Sequence, residues 1–283
     1  MKLRELASTE MALFIGGGDL PSLVVESLNK RGIPFILVCF DGTKINIPVA
    51  QRTVLNASFA NIAQLFDDLK KMNIKKVAFC GYVTPPQIEF KKIDSNSHSI
   101  LTKLTSKLEK GDSVLFDEVV HQFRKRCLQI INLFELIPTA FAKQGFLTKR
   151  RPSEADIRDT IRAEQLFSII SKADLGQSLV VEDGVCLGVE TSPGTDALLG
   201  FILKIVRKKD NKLKLKTGGV LYKAPKSGQS MLIDIPVIGE KTVRNVKKSG
   251  LNGIVLKEQK VIILNKERTL KLANDLDIFI WSK

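Results

Sequence analysis

Near its start the chain reads Ala12-Leu13-Phe14-Ile15-Gly16-Gly17-Gly18-Asp19-Leu20-Pro21, a short apolar run followed by three glycines and the beginning of a helical pattern. The helical pattern stops at Gly32, and a second apolar run, Phe35–Cys39, follows it. Another such run occupies Lys76–Gly81. Strand-length apolar runs that alternate with amphipathic helices predict a mostly parallel sheet covered on both faces. The sequence therefore predicts an α/β protein with an N-terminal Rossmann-like parallel sheet domain.

Loops with polar or glycine residues follow three of these predicted strands. They are Gly16–Asp19, the loop at Asp41, and Gly81–Pro86. In such sheets ligands bind at the carboxyl ends of the strands, so the three loops are expected to form one site. Glycines let backbone N–H groups approach a phosphate or sugar at a helix N-terminus. The dinucleotide fingerprint is incomplete, because Pro21 stands at the third glycine position, and a tight turn without ligand is equally consistent with the motif.

Composition limits the class of protein. The chain has 283 residues, enough for two domains, and a formal net charge of +14, which predicts anionic partners. Both halves are basic, and two tyrosines and one tryptophan offer few stacking platforms for nucleic acid. No apolar run is long enough for a transmembrane helix, and Met1–Glu5 leads into no signal-peptide region, so we expect a cytoplasmic protein. The four cysteines are widely spaced and indicate neither a zinc site nor a disulfide framework.

The predicted domain layout is an N-terminal domain over 1–140, a linker over 141–155 and a mixed α/β catalytic domain over 156–283. The linker is predicted from Gly145, a basic trio and Pro152. A buried strand is predicted over Leu128–Phe134, and a helix over roughly Glu154–Ser171. Ser178–Glu190 is predicted to be a β-hairpin with an Asp-Gly turn.

One carboxylate in the C-terminal half is unusually placed. Asp234 interrupts the apolar run Leu232–Val237, which is predicted to be a strand that buries its apolar side chains. An ionised carboxylate among apolar neighbours requires a cation, a hydrogen-bond donor or a metal, and Lys226 is the nearest cation in sequence. A second loop presents Thr195 and Asp196 at the start of a helix, where simple capping is the alternative. Together with Glu190 and Asp234, this loop favours a metal or phosphate site.

Several motifs occur in an order that resembles a known family. They are Gly16–Pro21, Gly81–Pro86, Lys110–Asp112, Asp174–Val181, Thr191–Asp196, Lys223–Lys226 and Asp234–Gly239. The pattern is similar to that of the two-domain UDP-2,3-diacylglucosamine pyrophosphatases of lipid A synthesis, found in some Gram-negative bacteria that lack the calcineurin-like enzyme. The resemblance extends over nearly the whole chain. It departs from the commonest family pattern in a longer N-terminus before Met11 and in Tyr82.

The resemblance implies a magnesium-dependent hydrolase. Its substrate is a lipid-linked nucleotide sugar, which water attacks at the α-phosphate to give UMP and 2,3-diacylglucosamine 1-phosphate (lipid X). The family's essential aspartate falls on Asp234. Diphosphate cleavage also needs charge neutralisation, which Mg²⁺ and a lysine supply, so Lys226 is assigned to catalysis, and Asp234 and Asp196 to the metal. Substrate binding is assigned to the loop residues Gly16, Gly17, Gly18, Asp19, Gly81, Thr84, Gly194, Thr195 and Gln229.

The expected surroundings follow from that substrate. A lipid substrate and a basic chain predict peripheral contact with an anionic membrane, namely the inner membrane, and a homodimer is compatible with the sequence. Nucleic acid is not expected as a partner. Two other classes stay open at this stage: an NAD(P)-dependent oxidoreductase that uses the glycine loop and Asp41, and a nucleic-acid-binding protein that uses the net charge.

Overall fold

A computed structural model of the chain describes residues 9–45, 47, 52–83, 93–108, 111–206 and 218–283. It divides into two compact units. The first unit comprises Met1–Pro138 together with the short segment Leu232–Asp234. The second unit comprises Thr139–Met231 and Ile235–Lys283.

The first unit contains a five-stranded sheet in which every pairing is parallel and the strand order is β3-β2-β1-β4-β5. Its strands are β1 (Met11–Ile15), β2 (Ile36–Phe40), β3 (Val54–Ala57), β4 (Lys76–Cys80) and β5 (Gln129–Ile130). All five residues of β1 are buried, because it lies at the centre of the sheet with helices on both faces. The predicted Rossmann-like parallel sheet is confirmed.

Helices connect these strands. They are α1 (Leu20–Lys30), α2 (Ile62–Lys71), α3 (Ser95–Leu108), α4 (Asp112–Arg124) and α5 (Leu133–Leu136). Helix α1 has a proline in its first turn, where no backbone N–H is needed, and the chain leaves it through Gly32 at φ +63°. Helix α2 buries Ile62, Leu65, Phe66 and Leu69 along one stripe against the sheet.

The strand predicted over Leu128–Phe134 is largely wrong. Only Gln129–Ile130 pairs with the sheet, and α5 starts at Leu133. Asn132 caps this helix: its Oδ1 accepts from the N–H of Phe134 at 2.8 Å, and Glu135 Oε1 accepts from the N–H of Asn132 at 3.2 Å. This reciprocal capping satisfies the first N–H groups of a helix and therefore ends the strand early.

The second unit contains a six-stranded mixed sheet in the order β6-β13-β11-β9-β7-β8 and a two-stranded parallel sheet, β10-β12. The strands are β6 (Gly145–Phe146), β7 (Ser178–Glu182), β8 (Val185–Val189), β9 (Val220–Lys223), β10 (Val237–Ile238), β11 (Gly253–Leu256), β12 (Ile262–Ile263) and β13 (Phe279–Ser282). The helices are α6 (Glu154–Ile170), α7 (Thr195–Phe201), α8 (Glu240–Lys248) and α9 (Lys266–Asp275). The predicted mixed α/β architecture is confirmed.

Two local predictions for this unit are also confirmed. Helix α6 spans nearly the predicted range and begins with a capping box between Ser153 and Asp156. The hairpin β7-β8 turns through Asp183 and Gly184, both of which have positive φ, as a tight hairpin turn requires.

The predicted linker, residues 141–155, lies entirely within the second unit. Phe141 and Ala142 are buried, and β6 pairs antiparallel with β13. The division between the units falls instead between Pro138 and Thr139.

The strand predicted over Leu232–Val237 is wrong for most of its length. Leu232 and Ile233 lie in a turn and are half-buried against the apolar core of the first unit. Regular pairing begins only at Val237, and Ile238 belongs to the core of the second unit. The apolar residues before and after Asp234 therefore pack into two different hydrophobic cores, which explains why they do not form one continuous strand.

Among the residues that the structure describes, no helix combines the length and apolar character needed to cross a bilayer.

Candidate functional site

The glycine loop after β1 packs tightly against the loop after β4. The N–H of Gly16 donates to Cys80 O at 2.8 Å, and the N–H of Gly17 donates to Tyr82 O at 2.7 Å. A Cβ at Gly16 would lie 2.3 Å from Tyr82 O, and one at Gly17 would lie 2.6 Å from Cζ of the Tyr82 ring. The close approach of Tyr82 therefore accounts for these two glycines, and their N–H groups are already used by the backbone.

The remaining predicted residues of this region are more accessible. Gly18 has a φ of +89°, which favours glycine, and Asp19 is exposed and makes no side-chain hydrogen bond to the start of α1. Gly81 has a φ of +87° and lies against Gly16 and Gly17. Thr84 lies outside the described residues. The ring of Tyr82, which is 68% exposed, covers Gly17 and Gly18.

An apolar cavity of about 240 Å³ opens in the first unit. Its walls consist of aromatic and aliphatic side chains from the sheet and from α2, α3 and α4, among them Phe14, Phe40, Phe59, Phe66, Phe79 and Phe123. Ile233, from the short segment that belongs to this unit, also lines it. The half-buried Asp234 follows Ile233 directly in the chain. In the sequence, the predicted catalytic carboxylate thus directly follows a residue that lines the apolar cavity.

Thr195 belongs to a largely buried cluster of polar side chains in the second unit. Its members, hereafter the Glu190 group, are Ser178, Glu190, Thr195 and Lys223. Glu190 Oε2 accepts from the hydroxyls of Ser178 and Thr195, each at 2.5 Å, and lies 3.4 Å from Lys223 Nζ. Lys223 Nζ also donates to Thr195 Oγ1 at 2.7 Å. The structure therefore places the predicted Thr195 beside an ion pair. Glu190, which the sequence indicated as part of a metal or phosphate site, is paired with Lys223, which was not among the predicted site residues.

The carboxyl of Glu190 is ionised in this group. Burial by itself raises its pKa, but the charge of Lys223 and the hydrogen bonds from Ser178, Thr195 and Gln177 outweigh burial. The net result is a pKa below the ordinary 4.5.

Lys226 and Gln229 are brought together in the loop after β9. Lys226 is 6% exposed, its Nζ lies 2.6 Å from Asp174 Oδ1, and its backbone N–H donates to Gln229 Oε1 at 2.7 Å. Gln229 is itself buried, and Gly228 between them has a φ of +76°. The side-chain amide of Gln229 thus fixes the loop conformation, and the buried Lys226 forms an ion pair with the half-buried Asp174.

The side chain of Asp196 contacts other residues than the side chain of its neighbour Thr195 does. Its Oδ1 accepts from Asn245 Nδ2 at 2.8 Å, and its Oδ2 lies 2.7 Å from Lys241 Nζ. Both contacts are on an exposed surface of the second unit, where the Asp196 side chain is 46% exposed. Gly194, before the helix, has a φ of +85° that favours glycine.

A candidate metal site has few protein ligands. In the described part of the chain, no cluster of three or more His, Cys, Asp or Glu side chains could hold a metal ion. Mg²⁺ commonly binds through one or two carboxylates, substrate phosphates and several waters. The described residues therefore offer no cage made entirely of protein ligands, and the Mg²⁺ predicted from sequence stays a prediction.

Comparison with known proteins gives consistent results over the whole chain. Residues 10–140 match the family model described as the LpxI N-terminal domain, and residues 143–281 match the LpxI C-terminal domain. A curated relative is the UDP-2,3-diacylglucosamine pyrophosphatase LpxI of Caulobacter vibrioides (strain ATCC 19089 / CIP 103742 / CB 15). It is 27% identical over 275 residues, which cover 96% of each chain.

Proposed function

Because the chain belongs to the LpxI family, we propose that it hydrolyses UDP-2,3-diacylglucosamine in lipid A synthesis. Water attacks the α-phosphorus, the bond from that phosphorus to the bridging oxygen breaks, and the products are UMP and 2,3-diacylglucosamine 1-phosphate. The full-length match to a relative of that name supports the substrate class. The two matched domain models together cover residues 10–140 and 143–281.

The observation that carries this proposal is the apolar cavity of the first unit. A diacylated sugar nucleotide needs apolar surface for its acyl chains, and each buried methylene contributes about 0.8 kcal/mol. The cavity is lined by phenylalanine, leucine, isoleucine and valine side chains, with Thr105 and Gln122 as its polar lining residues. We infer that the cavity holds an acyl group of the substrate. Asp234 directly follows Ile233, a lining residue of the cavity, in the sequence.

The same geometry argues against the oxidoreductase alternative. A dinucleotide site uses the N–H groups of the first strand-to-helix turn to hold a pyrophosphate. Here the N–H groups of Gly16 and Gly17 already donate to Cys80 O and Tyr82 O. The glycine loop is therefore explained by packing, and a role in substrate binding is carried by Gly18, Asp19 and the adjoining Gly81.

We assign the chemistry to carboxylates and one lysine. Asp234 is proposed to orient the attacking water and to bind Mg²⁺, and Asp196 stays a second proposed metal ligand. The ion would neutralise charge on the phosphate oxygens. Lys226 is paired with Asp174 in the structure, so its charge is partly balanced before substrate binds. Its proposed part is to add positive potential at the phosphate from a fixed, buried position.

Peripheral membrane contact is part of the proposal. Helix α6 exposes Ile157, Ile161 and Ile169 together with Arg158 and Arg162, and Arg158 lies 4.0 Å from the exposed Glu154. Exposed apolar side chains flanked by arginines are suited to an anionic lipid surface. Flotation with anionic vesicles at low salt tests this contact, and a protein that stays with the aqueous fraction contradicts it.

The proposed reaction is tested by incubating the purified protein with UDP-2,3-diacylglucosamine and Mg²⁺ in ¹⁸O-labelled water. We expect UMP that carries the label and lipid X that does not. Label in the lipid phosphate would place the attack at the other phosphorus. Equal turnover of UDP-N-acetylglucosamine, which has no long acyl chains, would contradict the diacylated substrate.

The acyl site is tested by two matched substitutions in α4. Phe116 lines the cavity, whereas the half-buried Val114 on the same helix does not. We expect Phe116→Gln to raise KM for the long-chain substrate about tenfold, which corresponds to about two buried methylenes, and Val114→Gln to leave it near the wild-type value. Equal effects of the two variants would remove the cavity from substrate binding.

A further inference from the structure

The Glu190 group is assembled from the ends of three strands and the first residue of a helix. Ser178 begins β7, Lys223 ends β9, and Glu190 follows β8. Ser178 and Lys223 are directly opposite each other in the β7-β9 pairing, and the N–H of Glu190 donates to Ser178 O at 2.8 Å. Ser178, Glu190 and Lys223 are buried, and Thr195 is half-buried at the edge of the group.

The chemistry of these groups fixes the direction of every hydrogen bond. An ammonium only donates, so Thr195 Oγ1 accepts from Lys223 Nζ. An ionised carboxylate only accepts, so the hydroxyls of Ser178 and Thr195 both donate to Glu190 Oε2. The single proton of the Thr195 hydroxyl is therefore directed at Glu190, and one lone pair of its oxygen is left for another partner.

A capping role does not explain this arrangement. A capping hydroxyl accepts from N–H groups in the first turn of its own helix. The residue in the N-cap position of α7 is Gly194, and Thr195 Oγ1 instead contacts Lys223 and Glu190, which lie outside the helix. Burying an ion pair is seldom favourable for stability by itself, since desolvation offsets the attraction. The pair therefore has a consequence other than stability, namely the fixed orientation of one hydroxyl.

We propose that Lys223 and Glu190 are positioning residues, which make the Thr195 hydroxyl a pure acceptor toward the substrate. This inference rests on the proposed function. The substrate group that it recognises must be a donor, because a phosphate oxygen would meet a lone pair and not a proton. Of the donors on the substrate, the inferred partner is a hydroxyl of the sugar nucleotide, on either the ribose or the glucosamine ring, and not the N–H of uracil or of the amide-linked acyl group.

The experiment compares three proteins on a panel of substrates. The proteins are the wild type, Thr195→Val, and the charge-neutral double variant Lys223→Met/Glu190→Gln, with Lys283→Met as a control that removes a half-buried ion pair to Glu164 in the same unit. The panel is UDP-2,3-diacylglucosamine and its analogues that lack the ribose 2′-hydroxyl, the ribose 3′-hydroxyl, or the glucosamine 4- or 6-hydroxyl. Melting temperature, kcat and KM are measured, and binding is measured separately by calorimetry.

We expect Thr195→Val and the double variant each to lose about tenfold in affinity and in kcat/KM for the natural substrate, the value of one hydrogen bond. Both should be indistinguishable from wild type on the one analogue that lacks the partner hydroxyl, and that analogue identifies the ring. Lys283→Met should match wild type throughout. Adding Lys223→Met/Glu190→Gln to Thr195→Val should cost no further affinity.

Three results would overturn the inference. One is an equal loss on every analogue, which would indicate a contact to a metal or to an N–H group of the substrate in place of a hydroxyl. Another is wild-type activity in a double variant that melts like wild type, which would make the pair purely structural. The third is a wild type that binds none of the panel. A wild type that binds the substrate without releasing UMP overturns the proposed function, and the binding data on the analogues still decide the role of Thr195.

Discussion

The two units treat their polar groups in different ways. In the first unit, the loop N–H groups of Gly16 and Gly17 donate to backbone carbonyls, and aromatic side chains line the cavity. In the second unit, two buried lysines are paired with carboxylates, Lys223 with the buried Glu190 and Lys226 with the half-buried Asp174. If the proposed function is correct, we expect the first unit to recognise substrate by shape and apolar area, and the second by hydrogen bonds of fixed direction. The following predictions test this division.

The largest effect is expected at Asp234, which belongs to the first unit, the one that contains the apolar cavity. We expect Asp234→Ala to lower the kcat for UMP release by about a thousandfold or more, because the carboxylate is assigned to water and metal positioning. Substrate affinity measured by calorimetry should change little. If Asp234 only stabilises its turn, the variant will melt at a lower temperature and keep its turnover per folded molecule.

The buried pair of the second unit gives the next largest effect, on stability. Lys223→Met leaves the Glu190 carboxylate buried without its cation, and we expect the free energy of unfolding to fall by about 3 kcal/mol. The double variant Lys223→Met/Glu190→Gln should recover most of this loss, because neither charge is left unpaired. Chemical denaturation followed by a probe in the second unit measures both. A double variant less stable than Lys223→Met would contradict the pairing.

The glycine loop of the first unit offers a test in which only backbone and packing matter. We expect Gly16→Ala and Gly17→Ala each to lower the free energy of unfolding by about 1–3 kcal/mol through their contacts with Tyr82. Adding Tyr82→Ala should rescue Gly17→Ala, whose Cβ meets the tyrosine ring, and should not rescue Gly16→Ala, whose Cβ meets backbone. Equal behaviour of the two positions would show that packing against Tyr82 is not what requires glycine.

Much of the fold follows from local sequence. The apolar runs before Gly16 and Gly81 and the Asp183-Gly184 turn carry their own strand and turn signals, and the structure confirms them. Leu128–Phe134 is misleading, because a capping box formed by Asn132 and Glu135 takes over midway through an apolar run. Apolar character alone does not distinguish the end of a strand from the start of a helix.

The candidate site is less predictable, because its contacts are not local. Lys223 follows three apolar residues of a buried strand, and that position is the signal that it needs a partner. The partner, Glu190, is 33 residues away and is reached only through strand pairing. The closely packed glycines depend in the same way on Tyr82, from another loop. Asp234 stays a site prediction from sequence. The turn before it was not predicted, because Leu232 and Ile233 pack on the core of the first unit.

Acid should weaken the second unit through Glu190. Because the folded-state pKa of Glu190 lies below its ordinary 4.5, the ionised carboxylate stabilises the fold at neutral pH. That contribution is lost as the pH falls from about 4.5 through the lower folded-state pKa. We expect the melting temperature of wild type to fall more steeply over this range than that of Lys223→Met/Glu190→Gln, as measured by calorimetry at several pH values. Parallel curves would show that Glu190 is not ionised in the fold.

The smallest effect is expected at Lys241, whose ammonium forms an ion pair with the predicted metal ligand Asp196. Both side chains are exposed, and such a pair contributes only about 0–1 kcal/mol. If Asp196 binds Mg²⁺, removing this competing cation with Lys241→Met should lower the Mg²⁺ concentration for half-maximal UMP release by up to about fivefold. Mn²⁺ binding followed by electron paramagnetic resonance should shift in parallel. Lys248→Met, on the same helix α8, removes an equal charge elsewhere and should leave the metal requirement unchanged. An identical response of the two variants would exclude Asp196 as a metal ligand and would leave Asp234 as the predicted protein ligand.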